Sequence, residues 1–467
     1  MIKKCFFVEL IAFVFLGLLY IYFYPTGLNS LEATGYNLLL LSHTIMFGVL
    51  IWATSYNKID LFDLYIPFFV CDYLCLVLSP IVFLVNNTAD CHGLYIMDGC
   101  AKATFVHIVA FTSFSIFYFC KNTDNIYKID EKVYEDKSIP IVLSGAILLW
   151  WIFFAVSLLY IIFSGKSLMY ILTLGFNGEA SNNVSDESSF KFLINFSYCL
   201  IGLWLYILNY SNNRIFRVFV TVMTAIIYLI RGTRFIVVLM AMSYFVFYYF
   251  KNRRYPKVRT LVTIVIAFLV FITLMGYSRT GLRSGMGINI EGVGLDAFYH
   301  ALETNFDIYK TYYGVVVDVP NIIGYSFGKA LCFDTLAYMV PRFLWPSKPT
   351  GTDISLFKAM IESLSYRVVN GSSMSTVWLT ELYIDFGYLG AIIVPAIYGA
   401  IMCRWKKLYK NYNGDILSII MYSILYGSIM QLVTRGYMSM NFWMLVFLLL
   451  PCWLLSFIRR TIIRSVD

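Results

Sequence analysis

Two carboxylates, Glu381 and Asp385, stand in the run Thr380-Glu381-Leu382-Tyr383-Ile384-Asp385-Phe386-Gly387, directly ahead of an apolar segment. On a helix this spacing places both on one face at a membrane surface. A carboxylate there is suited to take a proton from a hydroxyl, provided burial or a neighbour raises its pKa. Glu381 is the first candidate for a general base and Asp385 the second, and a paired or solvated helix start is the alternative for each. The histidines offer less: His43 and His107 fall within apolar spans, His92 in a short loop and His300 in a long polar stretch, and each reads as structural. Asp72, inside an apolar span, is an ionisable group at a depth where such groups are functional or paired with a buried polar neighbour.

The second set of chemical residues is cationic. Arg231 and Arg234 (Arg231-Gly232-Thr233-Arg234), Arg279 and Arg283, Arg342, and Arg435 (Thr434-Arg435-Gly436) stand at turns on the side that insertion statistics leave poor in cations. A guanidinium fork matches phosphate oxygens, so a pyrophosphate at that membrane face would satisfy several of them, with Lys348 as a further contact. The competing reading is contact with lipid head groups or pairing with the acids Glu291, Glu303, Asp307 and Asp334. Tyr313 and Trp345 belong to a group of aromatic residues outside the apolar spans, where flat rings with polar tips stack on sugar faces, ordinary packing being the alternative.

These groups need a frame. The 467 residues are 60% hydrophobic and 13% charged, a balance that would leave a large apolar surface in water and so excludes a soluble protein. Apolar runs lie near 5–24, 36–55, 62–85, 101–120, 140–164, 191–210, 215–230, 235–250, 259–276, 386–402, 416–433 and 440–458. Runs of about 20 residues are long enough to cross the hydrocarbon core as helices, and the runs lack the alternation of a barrel strand. The expected fold is an all-α integral membrane protein of about 12 transmembrane helices with one long extracytoplasmic loop. Its divisions are 1–276 (helices one to nine), 277–385 (the loop domain) and 386–467 (the last three helices and a cytoplasmic tail). Within the loop domain, Leu295 to Val317 and Gly324 to Met339 read as short helices, and Pro341, Pro346 and Pro349 forbid regular helix after them.

Loop charge supports the count. Lys3, Lys4, Lys58, the 121–139 loop, Arg214 with Arg217, Lys251 to Arg254, Arg404 to Lys410 and Arg459-Arg460 all fall on one side, which places both termini inside. The net charge of +8 therefore reports topology and implies no nucleic-acid partner. The first apolar run lacks a small-residue cleavage pattern and is kept as a helix. Ten cysteines show no metal-ligand spacing. Cys91 and Cys100 fall in one short external loop and are a candidate disulfide.

The chain shows no Walker loop, dinucleotide glycine fingerprint, paired-histidine zinc motif or Asp-x-Asp. No cofactor and no metal is implied, and energy must arrive in the substrate or through a gradient.

At Pro341-Arg342-Phe343-Leu344-Trp345-Pro346-Ser347-Lys348-Pro349 and Thr380 to Gly390, the chain resembles bacterial O-antigen polymerases of the Wzy type, and Arg231-Gly232-Thr233-Arg234 is similar to an arginine element of those proteins. The resemblance implies a membrane glycosyltransferase of the C type in the bacterial inner membrane, with its site facing the periplasm. It would move a growing chain from undecaprenyl pyrophosphate to the non-reducing end of a new lipid-linked repeat unit, in membrane lipid and beside a chain-length regulator protein. Arg231, Arg234, Arg279, Arg283, Arg342, Lys348 and Arg435 would bind pyrophosphate, Tyr313 and Trp345 sugar, and Glu381 or Asp385 the proton. A lipid-linked oligosaccharide flippase and an O-antigen ligase are the alternatives. The flippase has little use for a long external insertion, whereas the ligase would share the donor site.

Overall fold

The computed structural model describes residues 2–22, 30–56, 58–84, 90–91, 94–120, 139–163, 191–230, 234–252, 254–257, 259–261, 263, 303, 307–340, 344–345, 376–410 and 415–466. The helices are α1 (Ile2–Tyr22), α2 (Ser30–Ser55), α3 (Tyr65–Phe83), α4 (Met97–Phe119) and α5 (Ile139–Phe163). There follow a 3₁₀ segment Lys191–Tyr198 running into α6 (Cys199–Tyr210), then α7 (Arg214–Ile230) and α8 (Arg234–Lys251). The short α9 (Tyr309–Asp318) and α10 (Asp334–Tyr338) precede the long α11 (Leu379–Lys410), α12 (Ile416–Thr434) and α13 (Met438–Val466). A two-residue antiparallel pair, Asp90–Cys91 with Leu94–Tyr95, is the strand structure among the described residues.

Seven of these helices are long and apolar enough to cross a membrane: α2, α3, α4, α5, α11 (Leu379–Lys406), α12 and α13 (Met438–Ile462). Shorter apolar helices lie at Val8–Tyr22 and Phe235–Lys251. All coincide with apolar runs read from the sequence. The run 259–276 lies largely outside the described residues. Large hydrophobic side chains such as Leu148, Leu389 and Phe457 point outward, as a lipid-facing surface requires.

The bundle is knitted around α4, which packs against α2, α9 and α11. Ser113 on α4 donates to the Ile392 carbonyl of α11 at 2.7 Å. A second group joins α12 to α3, α8 and α13. Asp415 caps α12 by accepting from the Leu417 and Ser418 amides, and Arg459 of α13 donates to the same carboxylate at 2.8 Å.

Both α3 and α11 are locally irregular. In α3, Leu74–Leu78 form a π turn. Pro80 has no amide to donate and its ring cannot sit against the carbonyl one α-turn back, so the ladder widens, and the Ser79 hydroxyl donates to Leu74 O at 2.6 Å. In α11, Gly387 adopts φ 57° and ψ −133° and breaks the helix. Few residues other than glycine enter that region, and a Cβ there would meet the Tyr325 hydroxyl at 2.7 Å and its ring at 2.9 Å.

The Cys91–Cys100 expectation is corrected here. Cys100 sits inside α4 and carries a free, buried thiol. It packs against Gly35 of α2, so helix contact and not a loop crosslink explains its burial.

Candidate functional site

The site is built at the end of the bundle where α12 turns into α13. Thr434 ends α12 and Arg435 is its C-cap, with non-helical backbone. The turn is gripped by the residues leading into α11: the Gly436 amide donates to Thr376 O at 2.9 Å and the Trp378 amide to Val433 O at 3.0 Å. Gly436 is required, because any Cβ would collide with the Val377 carbonyl. The Asn441 side-chain amide donates to the Arg435 carbonyl, and the Met438 amide donates to Glu381 at 2.8 Å. Glu381, entirely buried, thus places its negative charge at the positive N-terminus of α13.

With its backbone fixed on both sides, Arg435 carries an exposed side chain. The surrounding protein nevertheless withholds enough solvent to pull its pKa below the ordinary guanidinium value, while Tyr437, Asp307 and Cys75 act in the opposite sense. The side chain is exposed at this end of the bundle. It stays charged at any physiological pH.

Asp307 comes from the turn ahead of α9, whose geometry is set by a 2.9 Å bond from the Lys310 amide to the Asp307 carbonyl. The next two residues, Ile308 and Tyr309, are buried anchors. α9 itself is tied to α4: the Tyr312 hydroxyl donates to Ala103 O at 3.2 Å, the hydroxyls of Tyr313 and Thr104 meet at 3.4 Å, and Lys102 donates to Val316 O at 2.9 Å and Val319 O at 3.2 Å. The half-buried Asp307 carboxyl is pushed up to about 6. Burial is the largest cause; Lys310 opposes it, the Glu303 carboxylate adds to it, and Arg435 also opposes it.

Asp385 is placed differently. Its carboxylate accepts from the Ser326 hydroxyl, the Ala330 amide at 3.2 Å and the Leu331 amide at 2.9 Å. The Gly387 break frees the carbonyls of Ile384 and Asp385, which take the Ser326 and Phe327 amides at 3.1 Å each. Phe327 at φ 49° and Gly328 at φ 89° turn the chain so that its amides converge on this acid, at the head of a π turn, Lys329–Phe333. α10 follows, and its Thr335 carbonyl accepts from the Trp443 indole of α13 at 2.7 Å.

The residue just ahead of α11 also joins a buried relay. The Trp378 indole donates to Asp72 at 2.8 Å, the other Asp72 oxygen lies 2.8 Å from His107 Nε2, and His107 Nδ1 lies 3.2 Å from the Ser42 hydroxyl. All four residues are buried, so Asp72 is a paired group joining α2, α3 and α4 to the start of α11.

The residues named from the sequence therefore divide. The structure brings Arg435 and Glu381 to one end of the bundle with Asp385 on the same helix as Glu381. Tyr313 is buried against α4, and Trp345 is half-buried with its ring edge-on to Phe333 at 6.2 Å. Arg231, Arg279, Arg283, Arg342 and Lys348 lie outside the described residues, as does the Arg234 side chain, although its backbone begins α8. Asp307 carried only a weak sequence signal, as one of several acids able to pair with an arginine.

The spans and the inward-facing polar relay define a multi-pass, all-α membrane protein. The family model O-antigen polysaccharide polymerase Wzy matches residues 5–461, nearly the whole chain, and the chain belongs to that family. No curated protein and no solved structure matches it.

Proposed function

We propose that this protein lengthens a surface polysaccharide by moving a growing chain from undecaprenyl pyrophosphate to the non-reducing end of a new lipid-linked repeat unit. The observation that carries the reading is the family match over residues 5–461, and the exposed Arg435 side chain supplies a cation for the chemistry. In this reading the bundle has about twelve spans in the bacterial inner membrane, with 277–385 as a loop domain at the periplasmic face.

The bond that breaks joins the anomeric carbon of the donor chain to pyrophosphate. Charge grows on that leaving group, and a guanidinium on a fixed backbone is placed to stabilise it as it forms. Arg435 fills that role on the described side of the site, and Arg231, Arg234, Arg279, Arg283, Arg342 and Lys348 complete the clamp. Such a clamp needs no metal. Sugar rings of the acceptor stack near Trp345 and the neighbourhood of Tyr313.

The sequence assigns the proton to Glu381 or Asp385. Both are buried completely and already hold backbone amides, an arrangement suited to fixing the start of α11 against the start of α13 and the 326–331 turn. Polymer length is set with a separate regulator protein.

The test is to incubate purified protein in detergent with synthetic undecaprenyl-pyrophosphate repeat units, without nucleotide or added metal, and to resolve the products on a gel. A ladder at repeat-unit spacing is expected. Transfer of preformed polymer onto a lipid acceptor with no ladder would make the protein a ligase, and lipid movement across liposomes with no ladder would make it a flippase.

A further inference from the structure

Residues 322–340 belong by sequence to the long stretch between apolar runs, yet they present an apolar surface. Ile322, Phe327, Phe333, Leu336 and Tyr338 all point outward, Phe327 at 79% exposure and Leu336 at 74%. Water solvates such a surface poorly. Its neighbours say what covers it. The π turn Lys329–Phe333 packs on both α11 and α13, and α10 packs on α13. A Cβ on Gly328 would stand 3.2 Å from the Phe386 ring, and Phe386 and Leu389 open the outward face of α11, which continues through Ile392 and Ile393. On the other side the Trp443 indole holds the Thr335 carbonyl, and the next residue of α13, Phe442, is exposed. The apolar surface of 322–340 thus adjoins the lipid-facing sides of two candidate spans.

Depth agrees with this. The spans in α11 and α13 hold 28 and 25 residues, so each overhangs a hydrocarbon core of about 30 Å by only about 4–6 Å at either end. The Asp385 and Trp443 ties stand about 7–9 Å along the axes from Leu379 and Met438, at the edge of the hydrocarbon. Irregular backbone is tolerated there only where protein satisfies its polar groups. The segment meets that condition: the Ser326 and Phe327 amides donate to the Ile384 and Asp385 carbonyls, the Ala330 and Leu331 amides to the Asp385 carboxylate, and the Cys332 amide to Gly328 O at 2.9 Å. The Leu331 carbonyl accepts the Thr335 hydroxyl at 2.7 Å.

We propose that residues 322–340 form a membrane-embedded elbow, seated at the hydrocarbon boundary at this end of the bundle, with Phe327, Phe333 and Leu336 against the acyl chains of the bilayer. The charged residues Lys329 and Asp334 are half-buried, so the large side chains turned outward are apolar. Tyr338 and the half-buried Trp345 are of the type that collects where hydrocarbon meets head groups. This part of 277–385 lies in the bilayer edge and not in the aqueous phase.

The experiment attaches a bimane probe to Phe327→Cys and to Leu336→Cys, each in a full-length Cys120→Ser, Cys332→Ser background, in phosphatidylcholine vesicles. Cys120 and Cys332 are the exposed thiols among the described residues, and the signal of the background protein, treated alike, is subtracted. Leu389→Cys on α11 is the lipid-contact reference. Phosphatidylcholine brominated on its acyl chains is expected to quench both probes within about twofold of the reference, with little quenching by aqueous iodide. Iodide quenching without lipid quenching would put the segment in water and overturn the proposal. Quenching by neither would mean that protein, a second copy or another chain, covers the surface, and overturns it as well. Native Cys332, labelled in the Cys120→Ser protein, repeats the measurement with no substitution in the segment, so a variant that fails to fold leaves the question answerable. Polymer formation is not read, and the outcome is independent of the polymerase reading.

Discussion

The Leu331 amide donates to the Asp385 carboxylate at 2.9 Å, and this bond joins the break in α11 to the head of the short α10 element. The same carboxylate takes the Ser326 hydroxyl and the Ala330 amide, so one side chain satisfies donors that the Phe327–Gly328 turn would otherwise leave bare. Hydrogen bonds to a charged acceptor contribute about 1.5–3 kcal/mol each in favourable cases, and an amide stripped of its partner costs more than the average bond returns. Asp385→Ala is expected to raise amide exchange throughout 326–333 and lower the melting temperature, with Asp385→Asn in between. Hydrogen exchange read by mass spectrometry checks it, and unchanged protection in the alanine variant would remove the anchoring role.

Gly387 sets the direction of the segment that Asp385 holds. Its φ of 57° and ψ of −133° lie where a side chain is strained, and the Tyr325 ring occupies the space a Cβ would need. Gly387→Ala is expected to cost about 1–3 kcal/mol from backbone strain alone, more if the ring cannot move. Adding Tyr325→Ala should recover only the steric part. A thermal-unfolding series across the two single variants and the double variant separates the contributions; a fully restored double variant would show that the backbone carries no strain.

Much of the frame was legible because its causes are local. Apolar length alone places helices at Ser30–Ser55, Met97–Phe119 and Ile416–Thr434, which match the apolar runs 36–55, 101–120 and 416–433. Tyr309 and Tyr313, with their helical spacing, do lie on one short helix. The helix carrying Glu381 begins at Leu379, ahead of the expected span, because the polar residues it admits are satisfied by α13 and by the Ser326 turn. What sequence did not disclose joins distant segments. The turn that carries Arg435 takes its shape only once the α12–α13 connection is clasped by Thr376 and Trp378. Likewise Asp72 found its partner in His107 on a different helix, where a lone intramembrane acid in the sequence reads as either functional or paired.

At the opposite end of the bundle, Lys406 of α11 is buried, forms an ion pair with Asp63 and donates to Lys58 O at 2.6 Å. Asp63 also accepts the Tyr118 hydroxyl and the Tyr65 amide. Removing one member of a buried pair leaves the other charge uncompensated, at a cost of about 3–5 kcal/mol, whereas replacing both by apolar groups of similar volume is often neutral. Lys406→Met is therefore expected to be strongly destabilising, and Lys406→Met with Asp63→Leu much less so. A double-mutant cycle on unfolding in detergent measures the difference; additive losses would mean that the two charges do not stabilise one another.

Arg435 should separate catalysis from folding. Its carbonyl takes the Asn441 amide and the neighbouring Gly436 and Trp378 backbones hold the turn, so the structural work of this position is done by main-chain atoms. The exposed side chain is available for a ligand. Arg435→Ala is expected to leave the melting temperature close to wild type and to reduce polymer formation by about 100- to 1,000-fold, the scale of losing one donor to a developing oxyanion. Arg435→Lys keeps the charge and loses the planar fork, so it should fall between the two, with the larger effect on kcat because the fork meets charge that grows as the pyrophosphate leaves. Polymer yield that is unchanged in Arg435→Ala would place the departing pyrophosphate elsewhere on the protein.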